Sequence, residues 1–276
     1  MTATSTARPA AASGTLASAA RDGLIITWRN LKRIPRIPEL AIFAVLQSIM
    51  FVLLFAYVFG GAIPIEGGDY NDFLMPGIFA QNIVFAAGIT AIGIADDIGK
   101  GIIDRFRSLP MARSAVLTGR SLSDVVYNLG ILIVLMLSGL FVGWRVHESI
   151  PAFLAGVALL LLFAFAMSWL GIWLGLMVPS VEVAQQAIFT VLFPITFLSN
   201  VFVPPQTLPD WLQPIAEWNP TSTLTGSLRQ LWGNPNPYVG SGFPSQNPAL
   251  MTIVWTVVIV AIFAPLAVSR YRNMSR

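Results

Sequence analysis

The chain has 276 residues, of which 55% are hydrophobic and only 11% charged, with a net charge of +3. A soluble domain carries about a quarter charged residues, so this composition argues against a soluble enzyme or a nucleic-acid binder, and it excludes disorder. Cysteine is absent and His147 is the single histidine, which removes disulfides, thiol nucleophiles and any centre needing two imidazoles from one chain.

Residues 1–20 are rich in Ala, Ser and Thr and read as a disordered cytoplasmic tail. The first long apolar run starts only at Leu40, too far in for the apolar core of a secretory signal. Residues 19–34 are amphipathic. Leu24, Trp28 and Leu31 share a helical face, with Arg29, Lys32 and Arg33 around it. That pattern predicts a helix lying in the membrane interface, with simple juxtamembrane anchoring as the plainer alternative. Pro35 and Pro38 separate it from the first span.

Six stretches approach or exceed the roughly 20 apolar residues that a helix needs to cross a bilayer. They are 40–59, 73–95, 125–142, 153–178, 184–203 and 250–268, and none contains Asp, Glu, Lys or Arg. Their apolar character is continuous, unlike the alternation of a membrane barrel strand. The expected fold is therefore all-α: a polytopic membrane protein with six transmembrane helices, its membrane domain spanning 21–272.

Lys and Arg fix the expected orientation. Six precede the first span, five lie between the second and third, and three follow the last. Only Arg145 and Arg229 remain for the other side. The asymmetry places both termini in the cytoplasm and accounts for the basic charge without nucleic acid.

Two connections stand out. The cytoplasmic one, 96–124, carries Asp96, Asp97, Lys100, Asp104, Arg105 and Arg107, with Ile102, Ile103, Phe106 and Leu109 at helical spacing before Pro110. It predicts a short amphipathic helix able to bury one side on a partner; a plain solvated loop is the alternative. The outer one, 204–248, begins with Trp211, Leu212, Ile215 and Trp218 and continues with Leu224, Leu228, Leu231 and Trp232. It predicts two short helices at the outer interface, where Trp is favoured. Pro209, Pro214 and Pro220 prevent a single continuous one.

Catalytic chemistry is sparse. The nearest approach to a phosphate-binding loop, Gly93 to Gly99-Lys100, has the wrong spacing and is followed by Gly101. His147, beside Arg145 and Glu148, reads as a solvated loop residue. Asp124 and Glu182 are expected at span ends, facing water or headgroups. Without titratable groups inside the spans, an ion-coupled mechanism is disfavoured. If the chain is part of a pump, its energy is expected to enter through another subunit at the cytoplasmic face.

The order of parts resembles the type-2 ATP-binding-cassette permeases, most closely their daunorubicin/doxorubicin-resistance membrane subunits. The strings that carry the resemblance are Phe59-Gly60-Gly61-Ala62, Leu74-Met75-Pro76-Gly77-Ile78, Asp97-Ile98-Gly99-Lys100-Gly101, Asp104-Arg105-Phe106-Arg107-Ser108-Leu109-Pro110, Phe193-Pro194-Ile195-Thr196-Phe197-Leu198-Ser199-Asn200, Pro209-Asp210-Trp211-Leu212 and Asn219-Pro220. The resemblance implies an exporter subunit without its own ATPase, in a plasma (inner) membrane of bacterial type, paired with a second permease copy or paralogue. ATP and Mg would sit on a separate ATP-binding subunit, with no cofactor or metal on this chain. Lys100, Ile102, Asp104, Arg105, Phe106 and Arg107 would form the coupling helix that docks on that subunit. Trp211, Leu212, Trp218 and Leu228 would help close the path on the outer side.

Spans rich in Phe and Met with a few amides suit an amphipathic, largely apolar cargo such as a drug, antibiotic or lipid. Gln81, Asn82 and Thr196 are candidate polar contacts, with core packing the alternative for each. Phe193 joins them in the candidate path, and Pro194 is a candidate bend. Two other classes remain open: a membrane-embedded lipid-modifying enzyme, and an assembly protein that transports nothing. Co-purification with an ATPase separates the first reading from both.

Overall fold

The structure is a computed structural model describing residues 27–28, 38–59, 65, 68–103, 113–202, 208–237 and 242–274. Among these residues every regular element is helical. In chain order they are α1 (Pro38–Leu54, continued by a π-helical turn Phe55–Phe59), α2 (Tyr70–Gly99), α3 (Arg113–Phe141), α4 (Ile150–Met177), α5 (Val181–Phe197), α6 (Gln213–Trp218), α7 (Pro220–Trp232), α8 (Phe243–Gln246) and α9 (Pro248–Asn273). The tail 1–20, most of the 19–34 segment, and 104–112 with Asp104, Arg105, Phe106 and Arg107 lie outside the described residues.

Four helices, α2, α3, α4 and α9, are long and apolar enough to cross a membrane. The apolar parts of α1 and α5 are shorter. At 1.5 Å per residue, the 17 residues of α5 span about 26 Å, just short of a typical hydrocarbon core. The expected span 184–203 is thus cut at Phe197 for an identifiable reason. Asn219, the N-cap of α7, donates from Nδ2 to the carbonyls of Ile195 (2.6 Å) and Leu198 (3.2 Å). The same side chain accepts from the Thr221 amide at 2.8 Å. One residue therefore starts α7 and satisfies the freed carbonyls at the end of α5.

The third span differs most from expectation. Residues 125–142 were expected from the absence of charge, yet α3 begins at Arg113. Its first turns contain Arg120 and Asp124, which pair with each other at 3.1 Å. Charge marks the edge of an apolar run but does not end a helix when it has partners on that helix and its neighbour.

Helix α2 is the packing centre, with α4, α5, α7, α3 and the end of α1 arranged around it. Gly171 and Gly175 on α4 sit against the Ala87 and Ala91 carbonyls of α2, where an added Cβ would collide with each oxygen. Small residues four apart permit this approach between membrane helices.

Helix α7, the second of the two helices expected at the outer interface, is buried in protein instead of resting on a membrane surface. Leu224, Leu228 and Trp232 are fully buried, and so are Thr221, Ser222, Thr223, Thr225 and Ser227 on its other sides. Three of its hydroxyls bond to the helix itself, while Ser222 accepts from the Asn200 amide at 3.1 Å. Thr223 donates to the Pro220 carbonyl, Thr225 to Thr221 and Ser227 to Thr223. Such self-satisfaction is what backbone and hydroxyls need away from water. Trp232 makes edge contacts with Phe79 and Trp144 at 5.7 and 5.5 Å, and Phe79 meets Trp144 at 5.1 Å.

Arg229 completes this end. It is 1% exposed and lies 3.7 Å over the Phe73 ring. Its Nε donates to the Phe73 carbonyl at 3.0 Å; Nη2 donates to those of Asn200 (3.1 Å) and Val201 (3.3 Å). Burial pulls its pKa down to about 9, with Tyr70 opposing the shift, so the guanidinium stays charged at neutral pH. It joins α7 to the start of α2 and to the turn after α5. Replacing it strands three carbonyls. Arg229→Leu is expected to cost about 3 kcal/mol, lowering the temperature at which the detergent-solubilised protein loses monodispersity. Arg229→Lys should recover only part, because one ammonium cannot reproduce the planar fork. An unchanged transition in Arg229→Leu would contradict this role.

Candidate functional site

The main concave feature is a cavity of about 690 Å³ between α1, α2, α3 and α5. Its α1 wall carries Gln47, Ser48 and Phe51; α2 supplies Ile78, Gln81, Asn82, Phe85, Ala86, Gly88, Ile89 and Ile92. Tyr127, Asn128, Ile131 and Leu135 come from α3, and Gln185, Ile188, Phe189, Phe193 and Phe197 from α5. No lining residue is charged. The polar groups are carboxamides, a serine and a phenol set among aliphatic and aromatic side chains. This is the composition of a site for an organic molecule with a few polar groups.

The C-terminal end of α5 is tied to α1 by aromatic rings. Phe193 stacks on Phe197 at 4.1 Å, Phe197 meets Phe202 at 5.5 Å, and Phe202 stacks on Phe55 at 4.6 Å. Phe51 meets both Phe55 and Phe202, at 4.6 and 6.2 Å. Phe51, Phe193 and Phe197 line the cavity, so this chain of rings borders it where α5 turns toward α7.

Gln81, Asn82 and Phe193 therefore share one cavity. Thr196 does not line it: it is fully buried, with its hydroxyl donated to the Leu192 carbonyl at 2.9 Å. The expected outer residues are not gathered at one place. Trp211 and Trp218 are exposed, Leu212 is half-buried, and Leu228 lies in the core. At the other end, Lys100 caps α2 and pairs with Asp96 at 2.6 Å, while Ile102 is half-buried.

Toward the C-terminal end of α2 lies an ionic cluster. Arg120 Nε donates to Asp124 at 3.1 Å, and its Nη1 lies 3.5 Å from Asp97 on α2. Thr90 Oγ1 donates to Asp124 Oδ2 at 2.8 Å. A Cβ on Gly93 would overlap the Arg120 guanidinium, so glycine there lets the side chain lie across α2. Thr27 donates to the Gly119 carbonyl at 3.0 Å, tying the entry segment to the same turn of α3. Asp124, expected to face water or headgroups, instead packs between two helices because Arg120 and Thr90 meet its oxygens. His147, expected to be solvated, pairs through Nε2 with Asp72 at 2.7 Å, and Asp72 also accepts from the Arg145 amide. Its imidazole remains about half exposed.

Sequence reasoning missed Asn128 and Phe51 at the cavity, Phe202 in the rings that border it, and Arg229 in the core. Asn128 was legible only as one polar residue among many in the spans. Its position four residues after Asp124, on the face that meets α2, was the available signal. Arg229 was marked by a helix whose hydroxyls surround it and leave no wet face for an arginine.

Residues 22–232 match the ABC-2 type transporter family. The chain belongs to this family. It is 32% identical over 246 residues to the daunorubicin resistance ABC transporter permease protein DrrB1 of Streptomyces coeruleorubidus, covering 89% of this chain and 84% of that protein. It is 24% identical over 256 residues to the probable doxorubicin resistance ABC transporter permease protein DrrC of Mycobacterium tuberculosis, covering 91% and 88%. A shorter match, 30% over 144 residues, links 52% of this chain to 35% of the inner membrane transport permease YhhJ of Escherichia coli. The chain is thus a multi-pass permease subunit of an ABC transporter, and members of its family work with an ATP-binding subunit.

Arg120 separates two carboxylates in a partly buried place. Its removal is expected to destabilise by about 3 kcal/mol, because breaking a buried ionic contact leaves unpaired charge. Arg120→Ala should lower the yield and heat stability of the purified protein. Adding Asp124→Asn should restore part of the loss, since the double variant no longer leaves that carboxylate unpaired. Strictly additive losses would show that the two residues are not coupled.

Proposed function

We propose that the chain is the six-span membrane half of a drug-type ABC exporter. In this reading α1 to α5 and α9 cross the membrane, both termini and residues 100–112 face the cytoplasm, and α6 to α8 lie on the outer side. The distribution of Lys and Arg supports that orientation. A second copy or paralogue completes the path, and separate ATP-binding subunits hold ATP and Mg. No string in this chain has the spacing of a phosphate-binding loop.

The observation that carries the reading is the uncharged, aromatic-walled cavity between four helices. A hydrophobic or amphipathic cargo entering from the cytoplasm or inner leaflet would find apolar contact there, and a bare ion would not find a charged ligand. Resistance to daunorubicin or doxorubicin, which names the relatives, fits such a cargo. Gln81, Asn82 and Phe193 are the proposed cargo contacts from the initial set. The segment from Lys100 to Pro110 is the proposed docking element, with Phe106 as the packing residue and Arg105 setting orientation.

Purified alone, the chain is expected to hydrolyse no ATP above background; co-expressed with its ATP-binding partner it should drive daunorubicin efflux. Phe106→Ala and Arg105→Glu should each reduce efflux and recovery of the partner by affinity purification, with membrane levels of the permease unchanged. Hydrolysis by the chain alone would overturn the division of labour. Parent-level partner recovery and efflux in both variants would remove the docking role from this segment.

A further inference from the structure

Gln81 on α2 and Asn128 on α3 are 6% and 4% exposed, yet both line the cavity. Neither side chain has a hydrogen-bonding partner among the described residues. Other buried polar side chains nearby are served by protein. Thr90 donates to Asp124, Ser121 meets Ser168, and Thr196 donates to its own helix. A carboxamide offers two donor hydrogens and a carbonyl acceptor. Leaving such a group unserved costs roughly 1–3 kcal/mol, so its partner has to come from the cavity.

We infer that Gln81 and Asn128 form a recognition site for a neutral group on the cargo that both donates and accepts hydrogen bonds, such as a carboxamide or a hydroxy-carbonyl. The inference deepens the proposed function and rests on the cavity being the cargo path. Cavity water can serve the two amides before cargo arrives. An apolar occupant that expels this water without replacing its bonds loses affinity. An occupant bearing the neutral polar group keeps both the bonds and the apolar contact. A charged group buried against this wall would meet no opposite charge and its desolvation would go uncompensated, so an ammonium such as the one daunorubicin carries has to stay at the open side of the cavity while a neutral group of the cargo faces the two amides. Gln81 and Asn128 thus act as a filter on the polar part of the cargo, while Phe85, Phe189 and Phe193 accept its apolar body.

The test holds the aromatic body constant. Anthracene, 9-anthracenecarboxamide, 9-anthracenecarboxylate and (9-anthracenylmethyl)trimethylammonium are titrated into the permease in lipid nanodiscs, with empty nanodiscs subtracted. The carboxamide is expected to bind about tenfold tighter than the other three probes, the ratio set by about 1.4 kcal/mol. Gln81→Leu and Asn128→Leu should each erase most of that preference while retaining anthracene binding, which reports an intact apolar wall. Gln81→Glu should turn the preference toward the ammonium probe, and it decides the matter if a leucine variant fails to fold. Equal binding of anthracene and carboxamide by the parent protein would overturn the inference. So would a carboxamide preference that survives in both leucine variants, or an unchanged ranking in Gln81→Glu. Binding of no probe above empty nanodiscs would overturn the cavity reading as well.

Discussion

A polar group packed away from water has no solvent to repair a missing hydrogen bond, so it is stable there only with a partner supplied by the protein or by whatever occupies a cavity. Arg229 shows how the fold meets this demand. Its guanidinium draws together the Phe73 carbonyl at the start of α2 and the Asn200 and Val201 carbonyls after α5. Asn219 closes the carbonyls of Ile195 and Leu198 at the same junction. The short helix α7 is therefore a fastener between two longer helices, with the hydroxyls of Thr223, Thr225 and Ser227 turned back on its own backbone and that of Ser222 serving the Asn200 amide. The position of α5, and with it one wall of the cavity, depends on these bonds.

A second set of charges fixes the opposite end of α2. Arg120 lies against Gly93 and reaches Asp97 and Asp124, with Thr90 serving Asp124 as well. Ion pairs away from bulk water add little stability compared with apolar packing, so their more defensible contribution is a defined register between helices. Here that register is between α2 and α3, the two helices that flank residues 100–112. The cavity begins within a turn of the cluster, since Ile89, Ile92 and Asn128 line it. Close passage of α4 at Gly171 and Gly175 holds the far side of α2. Movement at the proposed docking segment would thereby reach the cavity wall through a helix held on several sides.

Much of this architecture was legible because continuous apolar length is a strong signal. Residues 73–95 and 250–268 fall within α2 and α9, and 153–178 passes the end of α4 by one residue. The errors have physical causes. The early start of α3 was hidden because Arg120 and Asp124 ended the apolar count, although they neutralise one another. The early end of α5 was hidden because its terminating partner, Asn219, is 22 residues away from Phe197. Amphipathic spacing in 220–232 correctly marked a helix, but periodicity cannot distinguish a membrane surface from a protein groove lined for hydroxyls. At the cavity, Gln81 and Asn82 were readable as polar residues inside an apolar run. Thr196 gave the same signal, yet its hydroxyl serves its own helix. The packing of α2 against α3 distinguishes Asn128, and in the sequence only its place four residues after Asp124 hints at it.

The central claim is that cargo occupies the cavity between α1, α2, α3 and α5. It is tested most directly by placing a photoreactive benzophenone amino acid at Asn82 or Phe193, and for comparison at Val257, which is exposed on α9. Membranes containing the complete transporter are illuminated with radiolabelled daunorubicin. The account predicts labelling at positions 82 and 193 that excess unlabelled daunorubicin suppresses, with only unsuppressed background at 257. Equal labelling at all three positions, or labelling at 82 and 193 that competitor does not reduce, would contradict it.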